Sequence, residues 1–134
     1  MLLPMTSMKY LKPILISMKT KITRLRLNEA GDFRSQEEIK KWNKIAGRLR
    51  KEHGIVSYTY TARSDLDFSK APNIVVNGSN PGIRGAVREF RCVEPEEYDN
   101  LKPSKREYKC PFDCTKCSVC ASRHFKGVIY CRRH

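Results

Sequence analysis

The sequence predicts a small α/β protein with a mostly parallel sheet, and three observations indicate this class. Two segments rich in β-branched and aromatic residues flank one amphipathic helix, and a strand–helix–strand crossover of this kind makes its two strands parallel. The chain has 134 residues, enough for one modest core and too few for a full eight-stranded α/β barrel. Its composition, 40% hydrophobic with six Tyr and one Trp, is typical of a folded globular protein.

A strand and a helix are predicted between residues 22 and 54. Ile22–Leu27 has the imperfect alternation of a short strand. Ser35 and Glu38 form a capping-box pattern, which predicts the start of a helix, and Gly54 is placed to end it. Apolar residues recur at helical spacing between these ends, while lysines and arginines occupy the outer face. The predicted buried face comprises Ile39, Trp42, Ile45, Ala46 and Leu49.

Three more strands are predicted after this helix. Ile55–Ala62 is dense in β-branched and aromatic residues, and Asn73–Val76 is a compact apolar run followed by a strong turn signal. Ala86–Val93 alternates apolar and charged residues, as an edge or half-exposed strand does. Glu94–Pro95 then opens a short helix or turn. The sequence thus favours a small sheet of mostly parallel strands built around one strand–helix–strand unit.

The chain divides into three segments in this interpretation. Residues 1–21 form a basic leader that can include a short helix, which Pro13 would kink or shorten. Residues 22–109 form the α/β core. Residues 110–134 form a Cys/His tail that packs on the core.

Polar residues follow three of the predicted strands. If the sheet is parallel throughout, the ends of these strands share one edge, where parallel sheets bind their ligands. The candidates for catalysis at this edge are Asp32, Arg63, Asp65 and Ser79. In the alternative interpretation, Asp32 and Asp65 cap turns and pair with Arg63 to hold the loops.

The last quarter of the chain concentrates cysteines at metal-ligand spacing. Steps of the form C-x2-C allow two thiolates of one turn to bind the same ion, and zinc takes four thiolate or imidazole ligands. We therefore predict a zinc site. The predicted ligands are Cys110, Cys114, Cys117, Cys120 and His134.

An iron–sulfur cluster is the alternative cofactor, because it also takes four cysteine thiolates. The run from Cys110 to Cys117 matches, as a bare spacing, the cluster motif of radical S-adenosylmethionine enzymes. Those enzymes normally have an aromatic residue where this chain has Lys116, and they place the motif early in a barrel rather than after the last predicted strand.

Three other metal-ligating side chains lie near this cluster or in the core. If residues 128–134 are extended, Cys131 and His134 point to opposite faces, so at most one of them reaches the metal without a bend. We favour His134. We expect His124 to lie on the surface and Cys92 to pack as a small hydrophobic residue.

The charge and the cysteine usage restrict the partners and the compartment. The formal net charge is +13, from 27 basic and 14 acidic residues, which predicts attraction to polyanions and to nucleic acid first. Both ends of the chain are basic. Reduced thiols and a cytoplasmic location are expected, since no secretory leader is recognisable. No membrane partner is expected, because no stretch approaches about 20 apolar residues.

Four sequence blocks, in this order, resemble the carboxy-terminal part of the gene-product-eighty-eight family of phage proteins. The blocks are Arg26–Glu37, Tyr58–Phe68, Val76–Ser79 and Cys110–Cys120 with the closing His134, so the resemblance covers roughly residues 22–134. Family members generally have a further cysteine-containing amino-terminal region that this sequence lacks. The resemblance implies a phage or prophage origin and a metal-binding tail. The recurring residues correspond to Gly31, Asp32, Arg63, Ser64, Asp65, Asn77, Gly78, Ser79, Cys110, Cys114, Cys117, Cys120 and His134.

We therefore predict a phage-type zinc protein that contacts nucleic acid, or a nucleic-acid-bound host complex, through its basic ends. Its location would then be the cytoplasm of the host cell. An iron–sulfur enzyme, or the remnant of one, with a strand-end active site is the first alternative. A phage inhibitor that blocks a host protein by surface binding is the second, and the sequence indicates no oligomeric state.

Overall fold

A computed structural model describes residues 22–28, 31–114 and 117–133 of the chain. Its described residues form a six-stranded sheet with the order β1-β2-β3-β4-β6-β5, and each neighbouring pair is parallel. The strands are β1 (Arg24–Arg26), β2 (Val56–Thr61), β3 (Ile74–Gly78), β4 (Arg88–Val93), β5 (Glu107–Lys109) and β6 (Val128–Arg132). The helices are α1 (Gln36–His53) and α2 (Pro95–Asp99). This confirms the predicted α/β class and the parallel sheet.

Helix α1 begins after Ser35 and ends before Gly54, as the sequence predicts. The Ser35 hydroxyl accepts a hydrogen bond from the backbone N–H of Glu38 at 3.2 Å. At the other end, Gly54 adopts a left-handed conformation with φ of 67°, and its N–H donates to the Arg50 carbonyl. Glycine adopts this conformation without the steric cost that a Cβ imposes. The buried face of the helix comprises the five predicted residues Ile39, Trp42, Ile45, Ala46 and Leu49.

Helix α1 covers one face of the sheet and builds the main core there. Leu25 of β1 and Ile74 and Val76 of β3 contribute to this core. The rings of Phe33 and Phe68 meet edge to face at 5.6 Å, and both side chains are fully buried. Burial of each such ring stabilises the fold by about 1.5–3 kcal/mol. The core therefore fixes the helix over β1, β2 and β3.

Strand β4 is half exposed, which confirms one of the two predicted alternatives, but it is an interior strand, so the predicted edge position was wrong. It pairs with β3 on one side and with β6 on the other. Its charged residues have different partners: Arg88 is buried, whereas Arg91 pairs with Glu89 at 2.6 Å and is half exposed. The charged residues of this strand are therefore one buried arginine and two surface residues, and they do not indicate a strand at the edge of the sheet.

One part of the segment predicted as a Cys/His tail forms a strand of the sheet. Strand β6 inserts between β4 and β5, so Val128–Arg132 is an interior element. The short helix predicted within residues 1–21 lies outside the described residues. Within the part of the chain that the structure describes, no helix is long and apolar enough to cross a membrane.

Candidate metal centre

Three cysteines lie side by side at the carboxyl ends of neighbouring strands. Cys92 of β4 is directly opposite Cys131 of β6 in the parallel register. Cys110 follows β5 immediately, and its N–H donates to the Tyr130 carbonyl at 2.8 Å, which places it beside Cys131. Because side chains alternate along a strand, all three thiols project from the same face of the sheet. This face is the one opposite helix α1.

The crossover from β5 to β6 brings further cysteines over that face. The chain passes from β1 to β4 in one direction across the sheet, whereas the step from β5 to β6 runs in the reverse direction. Since parallel crossovers are right-handed, the reversed step must cross on the face opposite α1. Cys117 and Cys120 lie in this crossover, which the structure describes at residues 110–114 and 117–127.

Cys117 shows that the sheet is strongly curled. Its carbonyl accepts a hydrogen bond from Arg24 Nη1 of β1 at 2.7 Å, while its Sγ lies 3.3 Å from the Tyr108 hydroxyl of β5. These strands are the two edges of the sheet. Five strand spacings of about 4.8 Å would separate them by roughly 24 Å in a flat sheet, beyond the reach of both side chains. The sheet therefore forms an incomplete barrel that this crossover bridges.

The inside of the incomplete barrel is a cavity of about 670 Å³. It has the size of a small-molecule site, for which about 300–1,000 Å³ is typical. Cys92 and Cys114 are exposed, so the cavity opens to solvent. All six cysteines of the chain line it, namely Cys92, Cys110, Cys114, Cys117, Cys120 and Cys131. Its remaining walls include Arg24, Arg26, Tyr58, Tyr60, Phe90, Tyr108 and Ile129.

Arg88 anchors the cysteine crossover to the sheet from a buried position. Its side chain is 4% exposed, and Nε donates to the Phe125 carbonyl at 2.7 Å. Nη1 donates to Asn77 Oδ1 at 2.6 Å and to the Cys120 carbonyl at 3.2 Å, while Nη2 donates to the Ser122 carbonyl. None of the described Asp or Glu side chains forms an ion pair with it. Burial lowers the pKa of Arg88, and negative charge on Cys120 would oppose that effect.

The protein environment keeps three of the thiols protonated. Burial is the main cause that raises the pKa of Cys110 and of Cys120. The pKa of Cys131 rises to about 12, first because of burial and then because of the neighbouring Cys92 and Cys110. The crowded thiols thus disfavour negative charge on one another. A bound cation would reverse this balance, because thiolates are the form that binds metals.

The tyrosines beside the thiols also have raised pKa values. The hydrogen bond between Tyr108 and Cys117 is the first cause that raises the pKa of Tyr108 to about 12. Burial, followed by the adjacent Cys120, raises the pKa of Tyr60. Both phenols therefore stay neutral at physiological pH and can donate a hydrogen bond to a thiolate.

Four of the five predicted metal ligands line one cavity. They are Cys110, Cys114, Cys117 and Cys120, whereas His134 lies outside the described residues. Among the residues with described positions, no group of three Cys, His, Asp or Glu side chains is arranged to hold a metal ion. His124 is exposed, as expected.

Two cavity cysteines were absent from the predicted ligand set. Cys92 was expected to pack as a small hydrophobic residue, but it is exposed and lines the cavity. Cys131 was expected to be a less favoured metal ligand than His134. Each cysteine follows an inward-facing apolar residue, Phe90 or Ile129, by two positions, so alternation could have shown that they share its face. The two cysteines align only because β4 and β6 are neighbours in the sheet, and no local sequence pattern predicts this strand order.

Asp32 holds the loop after β1 against the end of β2. Its carboxylate accepts hydrogen bonds from the Thr61 hydroxyl at 2.7 and 3.0 Å, from the Ala62 N–H at 2.9 Å and from the Phe33 N–H at 2.8 Å. Asp32 does not line the cavity. This arrangement is the one expected of a carboxylate that holds loops.

Arg63 and Asp65 extend this network, whereas Ser79 lies apart from it. Arg63 donates to Asp65 at 2.8 and 2.7 Å and to the Phe33 carbonyl at 2.9 Å. This hydrogen bonding lowers the pKa of Asp65 to about 2. Neither side chain lines the cavity, but Ser79 does. The structure thus brings three of the four catalytic candidates together, outside the cysteine-lined space.

Comparison of the chain with protein-family models, curated proteins and solved structures gave no significant match. The fold and the site define the class without a relative: an α/β protein with a curled parallel sheet around a cysteine-lined cavity. The resemblance to a phage family remains a prediction that rests on its four sequence blocks.

Proposed function

We propose that the protein is an iron–sulfur protein whose cluster is held by thiolates of the cavity. One observation carries this proposal: all six cysteines line a single cavity, although they come from two strands and from the crossover that follows β5. Iron–sulfur clusters take cysteine thiolates as ligands, and the available thiols exceed the four that such a cluster needs. The kind and number of the donors therefore suit a cluster, and its binding would have to draw the sulfurs together, since no three of the described side chains are arranged to hold an ion.

The expected ligands are Cys110, Cys114 and Cys117, with Cys120 as the fourth. The C-x3-C-x2-C run begins at the residue after β5, at the carboxyl end of a parallel strand, where parallel sheets bind their ligands. When bound, the cluster would supply one-electron chemistry. A structural zinc ion takes four ligands, whereas six thiols line this cavity of about 670 Å³, which has room for a group larger than one ion. The surplus of thiols and the available volume favour a cluster over a single zinc ion.

Two side chains would tune such a centre. Arg88 is a buried cation beside Cys120, and it would offset the negative charge that thiolate ligands bring into the protein. The Tyr108 hydroxyl would donate a hydrogen bond to the Cys117 thiolate, from its distance of 3.3 Å. Hydrogen bonds to ligand sulfurs and local charge are the means by which proteins set cluster potentials.

A pair of matched variants tests the ligand assignment. Both Cys117→Ser and Cys92→Ser remove one cavity thiol, but only Cys117 belongs to the expected ligand set. Purified without air, Cys117→Ser should lose most of the iron and sulfide of the unmutated protein, whereas Cys92→Ser should retain them. Equal iron content in the two variants would contradict the assignment.

Nucleic-acid binding is a second candidate, favoured by the exposed outer face of α1. This face carries Lys40, Lys41, Lys44, Arg50 and Lys51. The arginines near the carboxyl terminus are less available than the sequence suggested. Arg123 donates to the Pro72 and Ile74 carbonyls, and Arg132 and Arg133 pair with Asp99 and Glu94.

The salt dependence of binding tests this second candidate. Because lysines displace counterions from phosphates, affinity for duplex DNA should fall steeply with salt, and neutralising Lys40, Lys41 and Lys44 with Gln should reduce that slope. Lys102→Gln, at another exposed site, is the control. A slope that is the same in all three proteins would rule out the α1 surface.

A further inference from the structure

We propose that the cavity also binds a planar aromatic anion of the nucleotide class, between an aromatic wall and two arginines of β1. This inference rests on the proposed function, since it assigns the part of the cavity that a cluster leaves free. The wall consists of Tyr58, Tyr60 and Phe90, and the arginines are Arg24 and Arg26.

The aromatic wall offers a surface suited to a planar ring. Tyr60 lies at its centre: the Tyr58 ring is 6.0 Å away and the Phe90 ring 4.8 Å away, both in edge-to-face geometry. All three side chains are half-buried, so each retains surface towards the cavity. Bases bind to such walls by stacking, which tolerates many ring types. The wall therefore predicts a ring without fixing which one.

The two arginines supply the complementary charge for an anion. Arg24 and Arg26 are two positions apart on β1, so they project from the same face. Arg26 lies over the Tyr60 ring at 4.6 Å, and its buried Nε has no hydrogen-bond partner among the described residues. Neither arginine forms an ion pair with a carboxylate in the part of the chain that is described. Guanidinium groups in this state favour phosphate or carboxylate ligands.

The positions of these groups match the two parts of a nucleotide. The register places Arg26 beside Tyr58 on the neighbouring strand, so the cationic group and the aromatic wall are contiguous. Arg24 is held towards the crossover by its hydrogen bond to the Cys117 carbonyl. Asp113 is the acidic residue of the lining, and the two arginines outnumber it. A nucleotide whose base stacks on the aromatic wall would therefore have its phosphate close to the two arginines of β1.

Calorimetric titration of the anaerobically purified chain tests the inference with three probes. Adenosine monophosphate carries both ring and charge, adenosine carries the ring alone, and inorganic phosphate carries the charge alone. We expect adenosine monophosphate to bind at least about tenfold more tightly than either fragment. Adenosine lacks the phosphate that contacts the arginines, and inorganic phosphate lacks the ring that stacks on the aromatic wall. Equal affinity for all three, or no binding of adenosine monophosphate, would overturn the inference. This comparison needs no variant.

Arg26→Gln tests the assigned cation directly. This variant should weaken binding of adenosine monophosphate by about tenfold, because a charge-assisted hydrogen bond is lost, and it should remove the preference for adenosine monophosphate over adenosine. Arg34→Gln, at an exposed position outside the cavity lining, is the control and should leave both affinities unchanged. Unchanged binding of adenosine monophosphate in a folded Arg26→Gln protein would overturn the assignment.

The iron content of each sample separates the two proposals. Binding of adenosine monophosphate that depends on Arg26, in protein that takes up no iron, would support the ligand site and contradict the cluster. Iron-loaded protein that does not bind adenosine monophosphate would support the cluster and overturn the ligand site.

Discussion

Arg88 is the residue on which the position of the cysteine crossover depends most. Its guanidinium donates to four oxygen atoms, three of which are carbonyls of the crossover, at Cys120, Ser122 and Phe125. Buried polar groups that lose their partners carry a large desolvation cost. A single side chain on β4 therefore holds the covering segment against the inside of the sheet.

Replacing Arg88 with Met should destabilise the fold strongly. The change leaves the partly buried Ser122 and Phe125 carbonyls without this donor, so we expect a loss of about 3 kcal/mol or more in the free energy of unfolding. Arg91→Met on the same strand is the matched control, because Arg91 is half exposed and forms its ion pair with Glu89 at the surface. Its loss should stay below about 1 kcal/mol. Urea unfolding monitored by circular dichroism measures both; similar losses would refute the anchoring role.

A second prediction at this scale concerns the ion pair between Arg63 and Asp65. Hydrogen bonding from Arg63 lowers the pKa of Asp65 from 3.8 to about 2. The pair's contribution to stability is therefore present above the unfolded-state pKa of 3.8 and disappears as the pH falls through about 2. NMR titration should show the Asp65 midpoint near 2, and near its ordinary value in Arg63→Gln.

Asp67 provides an internal control in the same spectra. Its pKa is lowered mainly by hydrogen bonds from Ser69, so its midpoint should not move in Arg63→Gln. If the midpoints of Asp65 and Asp67 shift together, the effect is not local to the Arg63 pair.

At the scale of elements, the approach of β6 to β5 determines how the thiols align. Gly127 immediately precedes β6, and a Cβ at this position would lie 1.9 Å from the Arg106 carbonyl oxygen. Two backbone hydrogen bonds also join this region: Val128 N–H donates to the Arg106 carbonyl, and Glu89 N–H donates to the Gly127 carbonyl. The close contact fixes the register that places Cys131 beside Cys110.

Gly127→Ala should separate β6 from the loop that leads into β5. The added methyl group clashes with backbone atoms, and overpacking of this kind costs about 1–3 kcal/mol. We expect a lower melting temperature together with reduced iron uptake, because the expected ligand Cys110, which follows β5, would be displaced. Thermal unfolding and iron analysis measure the two effects. An unchanged melting temperature would show that the loop moves aside freely.

The elements that the sequence predicts well are those with local signals. The cap at Ser35, the apolar period of α1 and the stop at Gly54 act within one helix, so their outcome does not depend on the rest of the chain. Strands β5 and β6 have no such signal: β5 is three residues long, and residues 128–134 were considered as an extended segment that brings His134 to the metal, with no partner strand predicted. Their pairing depends on the reversed crossover.

At the scale of the whole molecule, the curled sheet and the reversed crossover together create the cavity. The spacing of Cys110, Cys114, Cys117 and Cys120 predicted that thiols would converge on one site. The spacing could not include Cys92 and Cys131, because these two meet only through the order β4-β6-β5. Nor could it predict a cavity of about 670 Å³, because that space depends on how the whole sheet curls.

The central claim is that this cavity holds an iron–sulfur cluster, and the metal content of the unmutated chain tests it most directly. Protein purified without air would be analysed for iron, zinc and acid-labile sulfide, and its visible absorption would be recorded. We predict iron with a comparable amount of sulfide and a brown solution. One zinc ion per chain with no sulfide and no colour would contradict the claim.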